Sequence, residues 1–528
     1  MSTVYRRFLP LALLGGLLLV PAAPLGAQEM TFGAEEALDL GASSNASKFL
    51  DDGLRLYDAK DYAGSSLELY KVVAAKDPES QRFRPKAEYS LGKALYRMGF
   101  LQSSLGYFNK IAEAGKEHKY HRATLKWLYL IHRSLGDPAI LEKIAVYDVA
   151  DYPENYRADI AFLVGQYHYR RGNLDDALRS LGAIPRGNPD YGKAKYLEGI
   201  LWVRKNQAQP AIEAFKEILR VVTDDRRSVD DADKLEYMAW LSMARIFYAT
   251  GQYDLSIKYY NKVPQTSELW LEALFEESWS HYQQNNFEKS LGNLHTLNSP
   301  FFDNAYFPET MILQSVIYFT NCKYDLTRKT VEQFLLTYPE LEKQIETYLQ
   351  RYAEPSQFWD FLVKLNTEGG RFNSKLQQIF NVAFDDKNLV KSHRYIKQLD
   401  AESQRLGTVQ GTWGRSELAE ALLGDIQVVR SMAVHEAGRY AMSLLERVKR
   451  DLQELKSQAL KIKFEVANAE VGRLENKIKD ELFVETNAAP RGDITATDDE
   501  HIYWPFQGEY WKDELGSYYY YIRSECGR

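Results

Sequence analysis

A turn between two amphipathic helices keeps returning along this chain. Aligned on it, Lys60, Gly99, Gly136, Gly172, Asn206, Gly251, Asn285 and Cys322 follow one another at spacings of 39, 37, 36, 34, 45, 34 and 37 residues. In YSLGKALYRMGFLQSSLGYFNKI the recurring places are Leu91-Gly92, Tyr96, Gly99, Ser104, Phe108 and Ile111. In FLVGQYHYRRGNLDDALRSLGAI they are Val164-Gly165, Tyr169, Gly172, Leu174, Ala177, Leu181 and Ile184, and in LSMARIFYATGQYDLSIKYYNKV they are Met243-Ala244, Tyr248, Gly251, Tyr253, Ser256, Tyr260 and Val263. A small residue in each helix lets the two approach closely, and Gly or Asn at the turn takes the left-handed conformation that ends a helix. A period of this length means that each unit buries its apolar face against its neighbours, so the chain must stack into an array.

These residues resemble the tetratricopeptide repeat, a helix–turn–helix unit that stacks into a superhelix. The resemblance covers residues 45–340 in about eight copies. The copy at Gly136 is degenerate, because Asp137-Pro138 follows directly, and Cys322 replaces the turn glycine of the last. The polar stretch VVTDDRRSVDDADK, residues 221–234, reads as a lengthened loop inside the 45-residue interval. The expected fold is all-α, a superhelix of helical hairpins followed by a long coiled-coil-like helix and an irregular aromatic tail.

Beyond Pro339 the phase fades. Residues 341–410 hold either a divergent ninth repeat or capping helices, with Leu389, Ser392, Ile396 and Leu399 on one face. A long helical segment fills 411–484. Within it Ala441, Val448, Leu455, Ile462 and Ala469 take one heptad position and Leu445, Leu452, Ala459 and Val466 the other, until Arg473 breaks the series. This seam either meets a partner or folds back on its own array. A polar linker, 485–500, then leads to the tail at 501–528.

The N-terminus reads as an address. Arg6 and Arg7 precede an apolar run over 8–20, and Leu25-Gly26-Ala27 offers a cleavage site, so residues 1–27 have the pattern of a secretory signal peptide. Gln28 stands where a lipoprotein would carry its modified cysteine, and 28–44 is a short linker. A soluble periplasmic protein with no transmembrane anchor after cleavage is expected. A net charge of −7 without a basic block argues against nucleic acid as the main partner.

The usual catalytic motifs are missing. The sequence has no GxGxxG, no GxxxxGK[ST] and no GxSxG. His435-Glu436-Ala437-Gly438-Arg439 starts like a zinc-protease motif but has Arg439 in place of the second histidine ligand. Lys512-Asp513-Glu514-Leu515 lies inside the chain, where no retention receptor reads it. The two cysteines, Cys322 and Cys526, have no metal-ligand spacing. The expectation is a protein that is no enzyme and uses neither cofactor nor metal.

A binding surface is the better candidate. The resemblance implies that the first helices of successive repeats line a concave groove that holds partner segments. Three residues before the turn stand Tyr57, Tyr96, Tyr169, Tyr248 and Tyr282, and the next place holds Arg97, Arg170 and Arg204. These eight are the groove candidates; the alternative is that each Tyr packs between helices. Tyr and Arg are enriched at interaction hot spots, and the arginines favour an acidic or carboxylate-ended segment over a neutral glycan.

Aromatic residues make up 13% of the chain, and nine of them fall between Tyr503 and Tyr521. Such a segment must dock, through Trp504, Phe506, Tyr510 and Trp511, either on its own chain or on another envelope protein. In an oxidising compartment Cys526 can bond to Cys322 and pin it. The tail is also similar to the C-terminal signature of exported repeat proteins of myxobacteria, some associated with gliding-motility complexes. The function expected is thus a periplasmic scaffold that binds protein partners of the cell envelope, in gliding motility or a similar machine. Two alternatives stand beside it, an accessory factor in outer-membrane or secretion-system assembly and a binder of cell-wall carbohydrate.

Overall fold

The computed structural model describes residues 45–136, 138–302, 305–368, 376–377, 379–380, 386–409, 411–481 and 501–526. The signal-peptide segment and the 28–44 and 485–500 linkers lie outside the described residues. Helical hairpins follow one another in chain order: α1 (Asn45–Asp58) with α2 (Tyr62–Ala74), α3 (Pro78–Arg97) with α4 (Leu101–Glu113), and α5 (His121–Leu135) with α6 (Pro138–Ala145). Next come α7 (Arg157–Arg171) with α8 (Leu174–Gly182), α9 (Tyr191–Arg204) with α10 (Ala208–Asp224), and α11 (Ala232–Ala249) with α12 (Tyr253–Tyr260). The series closes with α13 (Trp270–Gln283) and α14 (Phe287–Leu297), then α15 (Glu309–Thr320) and α16 (Tyr324–Arg351). Beyond them lie α17 (Pro355–Glu368), α18 (Lys387–Thr408) and the 65-residue α19 (Glu417–Glu481).

All eight anchor positions of the repeat have positive φ, from 56° at Asn206 and Cys322 to 79° at Gly172. Lys60 and Cys322 adopt the left-handed turn although each carries a Cβ, so the hairpin geometry outweighs the side chain's preference. At the seven turns where the residue after the anchor is described, its amide bonds the carbonyl five residues back, as Phe100 does to Leu95 and Asn286 to His281. These are the 6→1 bonds that satisfy the orphan carbonyls of a helix end.

Close packing inside each hairpin also has a repeated device. A Cβ added at Gly53, Gly92, Gly165 or Gly199 would lie 2.6–2.9 Å from the side chain sixteen residues later, Leu69, Phe108, Leu181 or Phe215. In four hairpins a buried serine hydroxyl donates to the carbonyl twelve residues earlier: Ser65 to Gly53, Ser104 to Gly92, Ser256 to Ala244 and Ser290 to Ser278, at 2.7–2.9 Å. The small residues thus make room and the serines tie the two helices together at the point of closest approach.

Two compact units divide the described residues. The first comprises residues up to Glu217 with Asp224–Asp230 and Asp386–Arg439. Its core joins Leu69, Leu91, Phe100 and Tyr107 to Leu406, Trp413, Leu418 and Leu422 of the C-terminal half of the chain. The second comprises Ile218–Thr223, Asp231–Asp385 and Tyr440–Arg528.

Two segments differ from expectation, and a third takes one of the forms left open. The stretch 221–234 is a loop only in its middle: α10 runs to Asp224, with Ile218 and Val222 buried, a short 3-10 turn covers Arg226–Ser228, and α11 starts at Ala232. Apolar anchoring on one face carries the helix into the polar sequence. Residue 340 falls inside α16, which continues through Pro339 because Phe334, Tyr338, Leu341 and Ile345 stay buried on one face across it. In 386–409 the chain forms one 22-residue helix, α18, whose face of Leu389, Ile396 and Leu399 is buried.

The heptad seam folds back on its own chain. Leu445, Leu452, Leu455, Ala459, Ile462 and Val466 are buried, and polar contacts run antiparallel between α19 and α16. Lys449 meets Glu346, Lys456 meets Glu342, Lys463 meets Glu332, and Arg328 meets Glu470. At the start of α15, Glu309 is closed in with Tyr306 and Tyr338, and burial, then the charge of Asp451, push its carboxyl up to about 7. The folded chain therefore keeps a proton that the unfolded chain releases near 4.5, and the second unit loses stability as pH rises from about 4.5 to 7. Glu309→Gln is expected to raise the stability of this unit by about 2 kcal/mol at pH 8 and to flatten that pH window in urea unfolding.

Candidate partner-binding sites

The groove candidates sit in the last turns of first helices, where their rings fill gaps between neighbouring elements. Tyr57 packs edge-on against Tyr62 with the Lys93 ammonium over its ring, and Tyr96 meets Trp127 at 5.0 Å. Tyr169 is 8% exposed, and the Arg204 guanidinium lies 4.5 Å from its ring centroid. Tyr248 packs on Tyr253 and accepts from Gln283, and burial pushes its hydroxyl up to about 12; Tyr282 packs against Trp279 and Phe287. Arg97 is half-buried, whereas Arg170 and Arg204 are exposed. The rings are chiefly packing groups, then, and the solvent-facing members are two arginines.

Helix α18 explains what surrounds them in the first unit. Arg405 donates to the Gly99 carbonyl at 2.6 Å, and Gln398 donates to the Ser134 carbonyl at 3.1 Å. Lys391 feels the positive charge of Arg170. Residues seven apart on α18 therefore meet the ends of α3, α5 and α7 in turn, where carbonyls and the helix dipole favour cations. Tyr395 and Leu399 enter the core cluster against which Tyr96 packs, so α18 lies along part of the surface assigned to the groove.

Glu402 belongs to the same face. It is 2% exposed and accepts from the backbone amides of Gln102 and Ser103 and from the Ser103 hydroxyl, each at 2.9 Å, which caps the start of α4. The sequence reading missed this face, although the spacing of Lys391, Gln398 and Arg405 was its available signal. It also missed a basic cluster, in which Arg170, Lys387 and Arg394 surround Lys391. Burial first, and then those three charges, push the Lys391 ammonium down to about 8.

In the second unit the tail lies over α14 and α15. Leu515 is 6% exposed, Gln265 donates to its carbonyl, Gly516 donates to the Thr296 hydroxyl, and Lys289 donates to the Gly516 carbonyl. Farther along, the Tyr520 amide donates to Glu288 and the Glu525 amide to Asn321, while Lys323 pairs with Glu525 at 2.7 Å. Cys322 and Cys526 form a disulfide, with Cα atoms 5.1 Å apart.

Of the four aromatic docking candidates, Phe506 and Tyr510 each lie 4.6 Å from the His295 ring. Trp504 and Trp511 pack on each other and remain 55% and 42% exposed. Leu515 and the backbone around it form more of the contact than those rings do.

The tetratricopeptide repeat family model matches residues 163–226, which hold most of α7 and all of α8 to α10. Among solved structures, a tetratricopeptide repeat protein from Parabacteroides merdae ATCC 43184 is 13% identical, with 55% of this chain and 92% of that one covered at a TM-score of 0.24. The apo form of RapI is 10% identical over 65% of this chain and 99% of its own, with a TM-score of 0.34. Yeast Tom70 is 12% identical over 83% and 98%, with a TM-score of 0.19. No curated protein matches the sequence. The described residues make an all-α protein of tetratricopeptide-type hairpins, a fold of protein-interaction scaffolds. None of their helices is long and apolar enough to cross a membrane.

Proposed function

We infer that the chain is an exported scaffold of a bacterial cell envelope that holds acidic segments of partner proteins on its first unit. The observation that carries this reading is the gathering of Arg170, Lys387 and Arg394 around Lys391, with Arg170 two residues before the matched repeat's Gly172. Positive charge concentrated at one place on the surface attracts acidic segments. The same charges favour an acidic peptide over a neutral cell-wall glycan. The signal-peptide pattern and a disulfide suited to an oxidising compartment support a periplasmic setting. The resemblance of the tail supports a role in a motility machine over one in outer-membrane or secretion-system assembly.

A photoreactive residue placed at Arg170, irradiated in cells and followed by mass spectrometry, tests the reading. The expected product is a crosslink to an Asp- or Glu-rich segment of another protein. Charge reversal at Lys391 (K391E) is expected to lower its yield at least tenfold while helicity stays unchanged. Recovery of this chain's own peptides alone would overturn the scaffold role of this face.

A further inference from the structure

The surface beneath the tail is built to hold an extended polypeptide. Its contacts are mainly to backbone: the Gln265 and Lys289 side chains donate to the Leu515 and Gly516 carbonyls, and the Gly516, Tyr520 and Glu525 amides donate to Thr296, Glu288 and Asn321. Gly292 lies under the Tyr518 carbonyl, where any Cβ would collide with the oxygen and carbon of that peptide unit. Two apolar anchors seven residues apart, Leu515 and Ile522, enter the helical layer. Ile522 joins Trp270, Phe275 and Tyr282 around a core of Leu274, Leu291, Leu294 and Leu313.

The segment adds little apolar burial of its own beyond those anchors, since Trp504, Phe506, Trp511, Tyr519, Tyr520 and Tyr521 remain exposed. At its far end it is held by the Cys322–Cys526 disulfide and the Lys323–Glu525 ion pair. The sequence between α19 and the described tail is residues 482–500, nineteen residues with an extended reach of about 60 Å. Such a linker presents the tail to its own surface at an effective concentration on the order of millimolar. An identical segment from a second molecule offers the same amides, the same anchors and the same thiol, and exchange of an identical element is a low-cost route to association.

We propose that the α14–α15 face is a thiol-gated binding surface for an extended segment, and that residues 512–526 of a second copy of this chain exchange with the resident tail there. In the exchange a small-molecule thiolate such as glutathione first attacks Cys526 Sγ of one copy and frees its Cys322 thiolate, which attacks Cys526 Sγ of the second copy. The second copy's Cys322 thiolate, released in that step, then attacks the mixed disulfide on the first copy's Cys526 and sets the small thiolate free again. Two disulfides break and two form, and the small thiol is regenerated, so neither oxidant nor reductant is consumed. The inference is independent of the basic face around Arg170.

A synthetic peptide of residues 512–526 stands in for the second copy's segment. Added with catalytic glutathione to the full-length oxidised protein, it is expected to become disulfide-linked to Cys322 at millimolar concentration, at least tenfold more than a scrambled peptide with the same terminal cysteine. Gly292→Ala should reduce that preference to about one, because the backbone no longer fits, while leaving the helical signal intact. Mixing isotope-labelled and unlabelled full-length chains should then yield Cys322–Cys526 peptides that join a light to a heavy chain. Equal linkage of the scrambled peptide would show a merely reactive thiol and overturn the proposal. So would an absence of light–heavy pairs when thiol trapping shows that the bond has opened.

Discussion

Arg245→Met is expected to destabilise the second unit by about 3–5 kcal/mol, a large share of the ~5–15 kcal/mol that holds a typical domain together. Arg245 sits in α11 with its guanidinium facing α13. Its Nε lies 2.8 Å and 3.1 Å from the two oxygens of Glu276, and its Nη2 bonds Glu276 at 2.7 Å and Glu272 at 2.5 Å. Tyr260 of α12 donates to the same Glu276 carboxylate at 3.0 Å. Burial raises the Glu272 carboxyl, with the Arg245 charge opposing it. Removing the cation leaves two carboxylates in a place that water reaches poorly, and that desolvation is the source of the loss. The double variant Arg245→Met with Glu276→Met should recover most of it, since no carboxylate then remains at the centre of the network. Urea unfolding of the single and double variants measures the difference, and a double variant as unstable as the single would show that packing around Arg245 dominates.

The counterpart in the first unit is Glu402→Ala, with an expected cost of about 2–4 kcal/mol. A charged hydrogen bond contributes about 1.5–3 kcal/mol, and a lost helix cap alone costs about 0.5–2. Glu402 supplies three acceptor contacts to Gln102 and Ser103 from a position three hundred residues away in sequence. The substitution leaves two amides at the start of α4 facing a cavity, with the Arg405 contact to Gly99 still in place. Glu402→Gln keeps one acceptor oxygen and should lose about half as much. Amide hydrogen exchange at Gln102 and Ser103 reads the effect locally, and unchanged protection in Glu402→Ala would place the stabilisation elsewhere.

The hairpins were legible because their turns demand it. A left-handed residue every 34 to 45 positions, flanked by Gly92, Gly165 or Ala244 and by Ser104, Ala177 or Ser256, can be read without a structure. The heptad seam was legible as well, but its partner was not, since α16 matches it through Glu332, Glu342 and Glu346, which in sequence look like any solvated face. The binding ladder was the least legible element. An aromatic at the end of a repeated helix has the same sequence signature whether it faces a partner or, as with Tyr96 and Trp127, the next helix. The face of α18 escaped notice because its meaning depends on three hairpins far upstream, although Lys391, Gln398 and Arg405 stand a heptad apart.

That face gives the first unit a history as well as a structure. Gly99 and Arg405 are separated by 306 positions. At about 5–20 residues per second, a growing chain waits roughly 15–60 s between making the one and making the other. Until that partner is in place, the early hairpins can lean only on their immediate neighbours, as in any linear repeat. Arrival of α18 and the start of α19 turns a string of nearest-neighbour contacts into a closed circuit, so the last part of this unit to be synthesised is the part that makes its earliest hairpins cooperative.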